Sequence, residues 1–125
     1  MSTMMFRENI QKLIDRLEGG IAGVLMGFDG MVVESAAKSG FADSLPDIQT
    51  LAAEFAHLIS QARRTVQSVD AGALAEVTIR TDTVTLVITV LTQEYFLACA
   101  MLPAAPVGKA RYLVKVAAPK LRAEL

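Results

Sequence analysis

Apolar residues recur along this chain with two periods, one helical and one of two residues. Over residues 3–17, Phe6, Ile10, Leu13, Ile14 and Leu17 fall at helical spacing, with Arg7, Glu8, Lys12, Asp15 and Arg16 opposite. This predicts an amphipathic helix, stopped by Glu18-Gly19-Gly20 because glycine readily takes the left-handed turn that ends a helix. Two short apolar runs follow, residues 21–28 and 31–35, and Asp29-Gly30 between them predicts a tight two-residue hairpin. Residues 36–43 read as a polar loop. Ser44-Leu45-Pro46-Asp47 then has the form of a helix start, with Ser44 as cap, Pro46 in the first turn and Asp47 as the third-position acid. The helix that follows, residues 46 to about 69, is the longest element. After Asp70-Ala71-Gly72 come three strand-like runs, residues 74–81, 83–91 and 95–102, with links so short that neighbours must pair antiparallel. Pro103 and Pro106 break the last of them. Residues 106–123 form a final helix with Val107, Ala110, Leu113, Val114, Ala117 and Leu121 on one side, and Pro119 is expected to end or kink it and leave a frayed tail. The predicted order is α-β-β-α-β-β-β-α.

The distribution of apolar residues between strand faces sets the fold class. In the run 83–91, Val84, Leu86, Ile88 and Val90 point one way and Thr83, Thr85, Val87, Thr89 and Leu91 the other. The run 95–102 is apolar on both faces, with Tyr95, Leu97, Cys99 and Met101 against Phe96, Ala98, Ala100 and Leu102. Such strands belong in the centre of a sheet covered on both sides. The expectation is an α/β (α+β) fold, a five-stranded antiparallel sheet with helices on both faces. The run 74–81 differs, because Leu74, Glu76, Thr78 and Arg80 make one face polar against Ala75, Val77 and Ile79. That pattern suits a sheet edge, and an unprotected edge invites pairing with a second copy in a symmetric, isologous contact. The long helix has a first apolar stripe of Ile48, Ala52, Phe55, Ile59, Ala62 and Val66, widened by Leu51 and Leu58. A stripe so wide fits either deep burial within its own domain or packing on both its own sheet and a partner.

At 125 residues the chain is expected to be one domain, and 53% of it is hydrophobic, with mean hydropathy +0.43. Thr92, Gln93 and Glu94 interrupt its longest apolar runs, far short of the roughly 20 residues a membrane span needs, so no membrane insertion is expected. The acidic, amphipathic N-terminus does not read as a signal peptide. A single cysteine excludes an internal disulfide and fits a reducing, cytoplasmic setting. A net charge of -1 argues against nucleic acid as a partner. Cys99 and His57 are the only cysteine and histidine; Cys99 lies in an apolar central strand where a thiolate is disfavoured, and His57 faces solvent or a partner. No His, Cys or carboxylate cluster has metal-ligand spacing and no phosphate loop is present, so no catalytic residue, metal or cofactor is expected and the chain reads as a non-enzyme. Gly23 and Gly27 share a strand face where a helix can come close. Lys109, Arg111, Lys115, Lys120 and Arg122 make the last helix basic, either as a solvated face favoured by the helix dipole or as a patch for an acidic partner or phosphates.

This order of elements, with its signals, resembles the Roadblock/LC7 family, most closely its bacterial MglB-type branch. The resemblance rests on Gly23-Val24-Leu25-Met26-Gly27-Phe28-Asp29-Gly30-Met31-Val32-Val33, on Leu51-Ala52-Ala53-Glu54-Phe55-Ala56, on the paired runs 84–91 and 95–100, and on Pro106-Val107-Gly108-Lys109-Ala110-Arg111-Tyr112-Leu113. It implies a homodimer in which the edge strand extends the sheet between subunits and the long helices lie side by side. The dimer surface would then hold Leu51, Phe55, Leu58 and Ala62 on the helix and Leu74, Glu76, Thr78 and Arg80 on the strand. The resemblance also implies a Ras-like small GTPase of the MglA type as partner, with GTP hydrolysis stimulated, met by Ala53, Ala56, His57, Ser60, Gln61 and Arg64. Arg63 and Arg64 invite an arginine-finger role, which the resemblance does not support. A non-catalytic adaptor subunit of a larger complex is the alternative. A small-molecule sensor would need a roomy pocket, and large side chains on both sheet faces argue against one.

Overall fold

The computed structural model describes residues 3–125. Helix α1 (Thr3–Arg16) leads into strands β1 (Gly20–Gly27) and β2 (Val32–Ala37), and a single 3-10 turn (Ala42–Ser44) runs straight into helix α2 (Leu45–Ser68). Strands β3 (Glu76–Arg80), β4 (Thr85–Val90) and β5 (Tyr95–Met101) follow, then helix α3 (Val107–Glu124). The five strands form one antiparallel sheet in the order β2-β1-β5-β4-β3. The predicted element order and fold class are both present.

Strand alternation sorts the core into two layers. Gly23 and Leu25 of β1, Val87 of β4 and Leu97, Cys99 and Met101 of β5 turn toward α1 and α3, where they meet Phe6, Ile10, Ile14, Leu113, Val114 and Leu121. Val24, Met26, Leu86, Ile88, Phe96, Ala98 and Ala100 turn the other way, toward Ile48, Ala52, Ala56 and Ile59 of α2. Two of the three internal strands, β1 and β5, are buried on both faces except at Tyr95. Two helices therefore cover one face of the sheet and a single helix the other. That helix does not sit centrally. Its contacts fall chiefly on β1 and β2, where Gln49 Nε2 donates to Ser35 Oγ at 2.9 Å.

Several local expectations need correction. The hairpin loop has three residues, not two: Gly30 N–H donates to Gly27 C=O at 2.9 Å, Gly27 N–H to Met31 C=O at 2.9 Å, and only Gly30 takes positive φ (+86). A turn followed by one left-handed glycine closes such loops without requiring Asp29 to adopt positive φ. Gly23 does admit a helix, since a Cβ there would stand 2.6 Å from Ile10 Cγ2. At Gly27 the obstruction is Asp29 Oδ1 in the hairpin, at 2.5 Å, and not a helix. Ser44 precedes α2, but its backbone is already helical (φ -83, ψ -15) and its hydroxyl caps nothing, because the 3-10 turn delivers the chain in helical conformation. Pro119 lies inside α3 without ending it. The carbonyl it leaves unpaired belongs to exposed Lys115, while buried Leu121 and a hydrogen bond from Arg122 Nε to Leu91 C=O (2.7 Å) hold the last turn on the sheet.

Candidate protein-interaction surface

Helix α2 has three lines of side chains, set by its 3.6-residue repeat. The core line is Ile48, Ala52, Ala56 and Ile59. Ala56 therefore occupies the place that the apolar pattern assigns to Phe55. With 2% of its surface exposed, it is unavailable to a GTPase laid on the outside of the helix. The second line, Leu51, Phe55, Leu58 and Ala62, runs along the flank that overlooks β4 and β3. Leu51, Phe55 and Ala62 are half-buried and Leu58 is 51% exposed. On the outer side and opposite flank lie His57, Gln61 and Arg64, all exposed, with Ser60 and Ala53 half-buried and Ala53 beside Gly30 of the hairpin.

The sheet next to the second line is only partly covered. Leu74, Val77, Ile79 and Val84 join the α2-side cluster yet remain half-buried, and β3 pairs with β4 alone. Its outer edge thus offers unpaired backbone N–H and C=O groups beside an apolar strip shared by β3 and α2. The strand alternation already set Val77 and Ile79 opposite Glu76, but without the position of α2 neither could be assigned to the surface. Leu74 lies ahead of β3, where the chain is irregular, so it leaves the alternation and packs with the α2-side cluster instead of with Glu76.

Glu76, Thr78 and Arg80 turn to the other face. Arg111 Nε of α3 meets Glu76 Oε2 at 2.7 Å and Oε1 at 2.9 Å, and Arg111 Nη2 donates to Thr78 Oγ1 at 3.4 Å. Arg80 Nη2 donates to Pro103 C=O at 3.2 Å. These side chains brace α3 and its approach against β3, so at this edge the backbone is the part left free. Arg63 is also engaged: its guanidinium carbon lies 4.1 Å from the centroid of the Phe28 ring, and Nη1 donates to Gln93 C=O at 2.9 Å.

Cys99 and His57 are not brought together. Cys99 is enclosed on the α1–α3 side of the sheet, where burial pushes its thiol up to about 12, whereas His57 is exposed on α2 beyond the opposite face. Among the described residues no three His, Cys, Asp or Glu side chains gather as a metal site, and no helix is long and apolar enough to cross a membrane.

The fold is similar to several solved structures. MglC from Myxococcus xanthus is 34% identical, with 98% of this chain and 100% of that chain covered and a TM-score of 0.69. The Roadblock/LC7 domain from Streptomyces avermitilis is 20% identical over 94% of each chain, with a TM-score of 0.79. The gliding protein MglB from Thermus thermophilus is 18% identical over 92% of this chain and 84% of its own, also with a TM-score of 0.79. No protein-family model and no curated protein sequence matches the chain.

Proposed function

From the premise that this chain belongs to the Roadblock/LC7 family, we propose that it is a self-associating regulator of a Ras-like small GTPase in a gliding-motility system. The observation that carries this reading is that Leu51 and Phe55 of α2 and Val77 and Ile79 of β3 stay half-buried on one cluster, with Leu58 exposed on the same helix flank and the outer edge of β3 unpaired among the described residues. A second copy satisfies both features at once: its own β3 completes the backbone ladder, and its own α2 flank covers the strip. The contact is isologous and sets the two α2 helices side by side. Ala53, His57, Ser60, Gln61 and Arg64, on the far flank and outer side of each α2, are then left for the GTPase. Ala56 is withdrawn from that set because it is buried. The motility setting is part of the proposal, supported by the likeness to a gliding protein at 18% identity.

The partner is tested by immobilising the chain and measuring binding of the host's Ras-like GTPase loaded with GTP or with GDP. Preferential capture of the GTP form is expected, and equal or absent binding of both forms would refute a regulator that reads nucleotide state. The alternative is a scaffold subunit with no effect on hydrolysis; the engagement of Arg63 by Phe28 and Gln93 argues against an arginine-finger role for that residue and leaves Arg64 exposed. A GTPase rate unchanged by excess chain, together with GTP-dependent binding, would select the scaffold.

A further inference from the structure

The α1–α3 layer lies across the sheet from α2 and carries the reverse charge of the rest of the molecule. Its two helices hold eight basic and three acidic residues, net +5, whereas the remainder of the chain holds four basic and ten acidic, net -6. Where α1 and α3 meet, a groove of about 270 Å³ opens over the buried side chains of Leu13, Leu113 and Ala117. Val116, 44% exposed, forms an apolar wall, and Lys12, Arg16 and Lys120 line the groove with no ion pair among the described residues. Asp15 also lines it and accepts a hydrogen bond from Gln11 Nε2 at 2.9 Å.

We infer that this groove docks an acidic amphipathic helix from a partner protein. An apolar floor between two helices receives the side chains that a third helix presents at i, i+3, i+4 and i+7. Three unpaired cations beside that floor select carboxylates on the flanks of the same helix. A flat bilayer surface would meet the helix ridges and leave the recessed floor empty. The groove is separated from the α2–β3 surface by the sheet, so the chain holds this helix and a partner on α2 together. The inference does not depend on the GTPase reading.

The test titrates isotopically labelled full chain with a synthetic amphipathic peptide of about 15 residues, leucines on one face and glutamates beside them, and with a twin carrying lysines in place of the glutamates. The glutamate peptide is expected to shift amides of α1 and α3 and to bind about ten-fold tighter than its twin, an advantage that shrinks as salt is added. Lys12→Glu combined with Lys120→Glu should reverse the preference, and Val116→Ser should weaken both peptides. Leu58→Arg, on the far side of the sheet, should change neither. Equal affinity for the two peptides, or shifts confined to α2 and β3, would overturn the proposal. So would phosphatidylglycerol vesicles binding through the three cations while the glutamate peptide does not, or Val116→Ser lowering the mass of the free chain, which would give the groove to a second copy.

Discussion

Two buried groups on β4 and β5 make the residue scale testable. The Thr85 hydroxyl is enclosed within the protein and has no hydrogen-bond partner among the described residues. An unpaired buried hydroxyl costs more than its pairing would return, and valine keeps the shape. Thr85→Val should therefore stabilise the fold by about 1 kcal/mol, read as a higher urea midpoint with an unchanged slope. Cys99 is held as a neutral thiol, its pKa raised from 9.0 to about 12 by burial. For an acid whose pKa rises on folding, the stabilisation is complete below the unfolded value and disappears as pH climbs toward the folded one. Stability should thus fall between about pH 9 and pH 12, and less steeply in Cys99→Ala. A thiol reagent at neutral pH should label Cys99 only after denaturant is added. On α2, side-chain size misleads at this scale: Phe55 is the larger apolar residue, yet Ala56 holds the core line and Phe55 lies half-buried on the flank. Periodicity identifies the helix more surely than it identifies which of two adjacent apolar residues points inward.

The elements themselves were legible, since their apolar periods are long and their boundaries marked by Gly, Pro and Asp. What escaped was the chemistry of their ends. Helix α2 stops in a motif usually built on glycine, with Ala71 N–H donating to Val66 C=O at 2.9 Å and Asp70 N–H to Gln67 C=O at 3.2 Å. The residue in the left-handed position is Asp70 (φ +54), the one non-glycine there among those described. Asp70→Gly should relieve that conformation and raise the thermal midpoint, by up to about 1 kcal/mol of stability. Proline propensity argues for a broken α3, but tertiary contacts from Leu121 and Arg122 prevail over the missing hydrogen bond. Pro119→Ala should stabilise the protein by about 2 kcal/mol in chemical denaturation, the helical penalty of proline less its restriction of the unfolded chain.

For the whole molecule, layer order decides which surfaces are free. The sequence pattern located the edge strand and the wide helix, but not that α2 lies toward β1 and β2 and leaves the β3 side of its face half-covered. That offset depends on packing across the sheet, which no local period encodes. It also makes self-association easy to test. Leu58 is exposed in the single chain, so Leu58→Arg should cost little folding stability, while in the proposed dimer it buries an unpaired charge. Sedimentation should show the variant at half the native mass; an unchanged mass would remove this flank from the contact.

The strand order also dictates when the chain can fold. Strand β1 is an internal strand between β2 and the central β5, and it pairs with β5 along its length, with Gly23 opposite Cys99. During synthesis α1 and α2 are available to the faces of the first hairpin early, but the long edge of β1 that pairs with β5 stays unsatisfied until nearly the whole chain has been made. Contacts so distant in sequence slow folding and lengthen exposure to aggregation. A nascent chain stalled before β5 should remain bound by chaperones, and release should follow only once residues 95–101 have emerged.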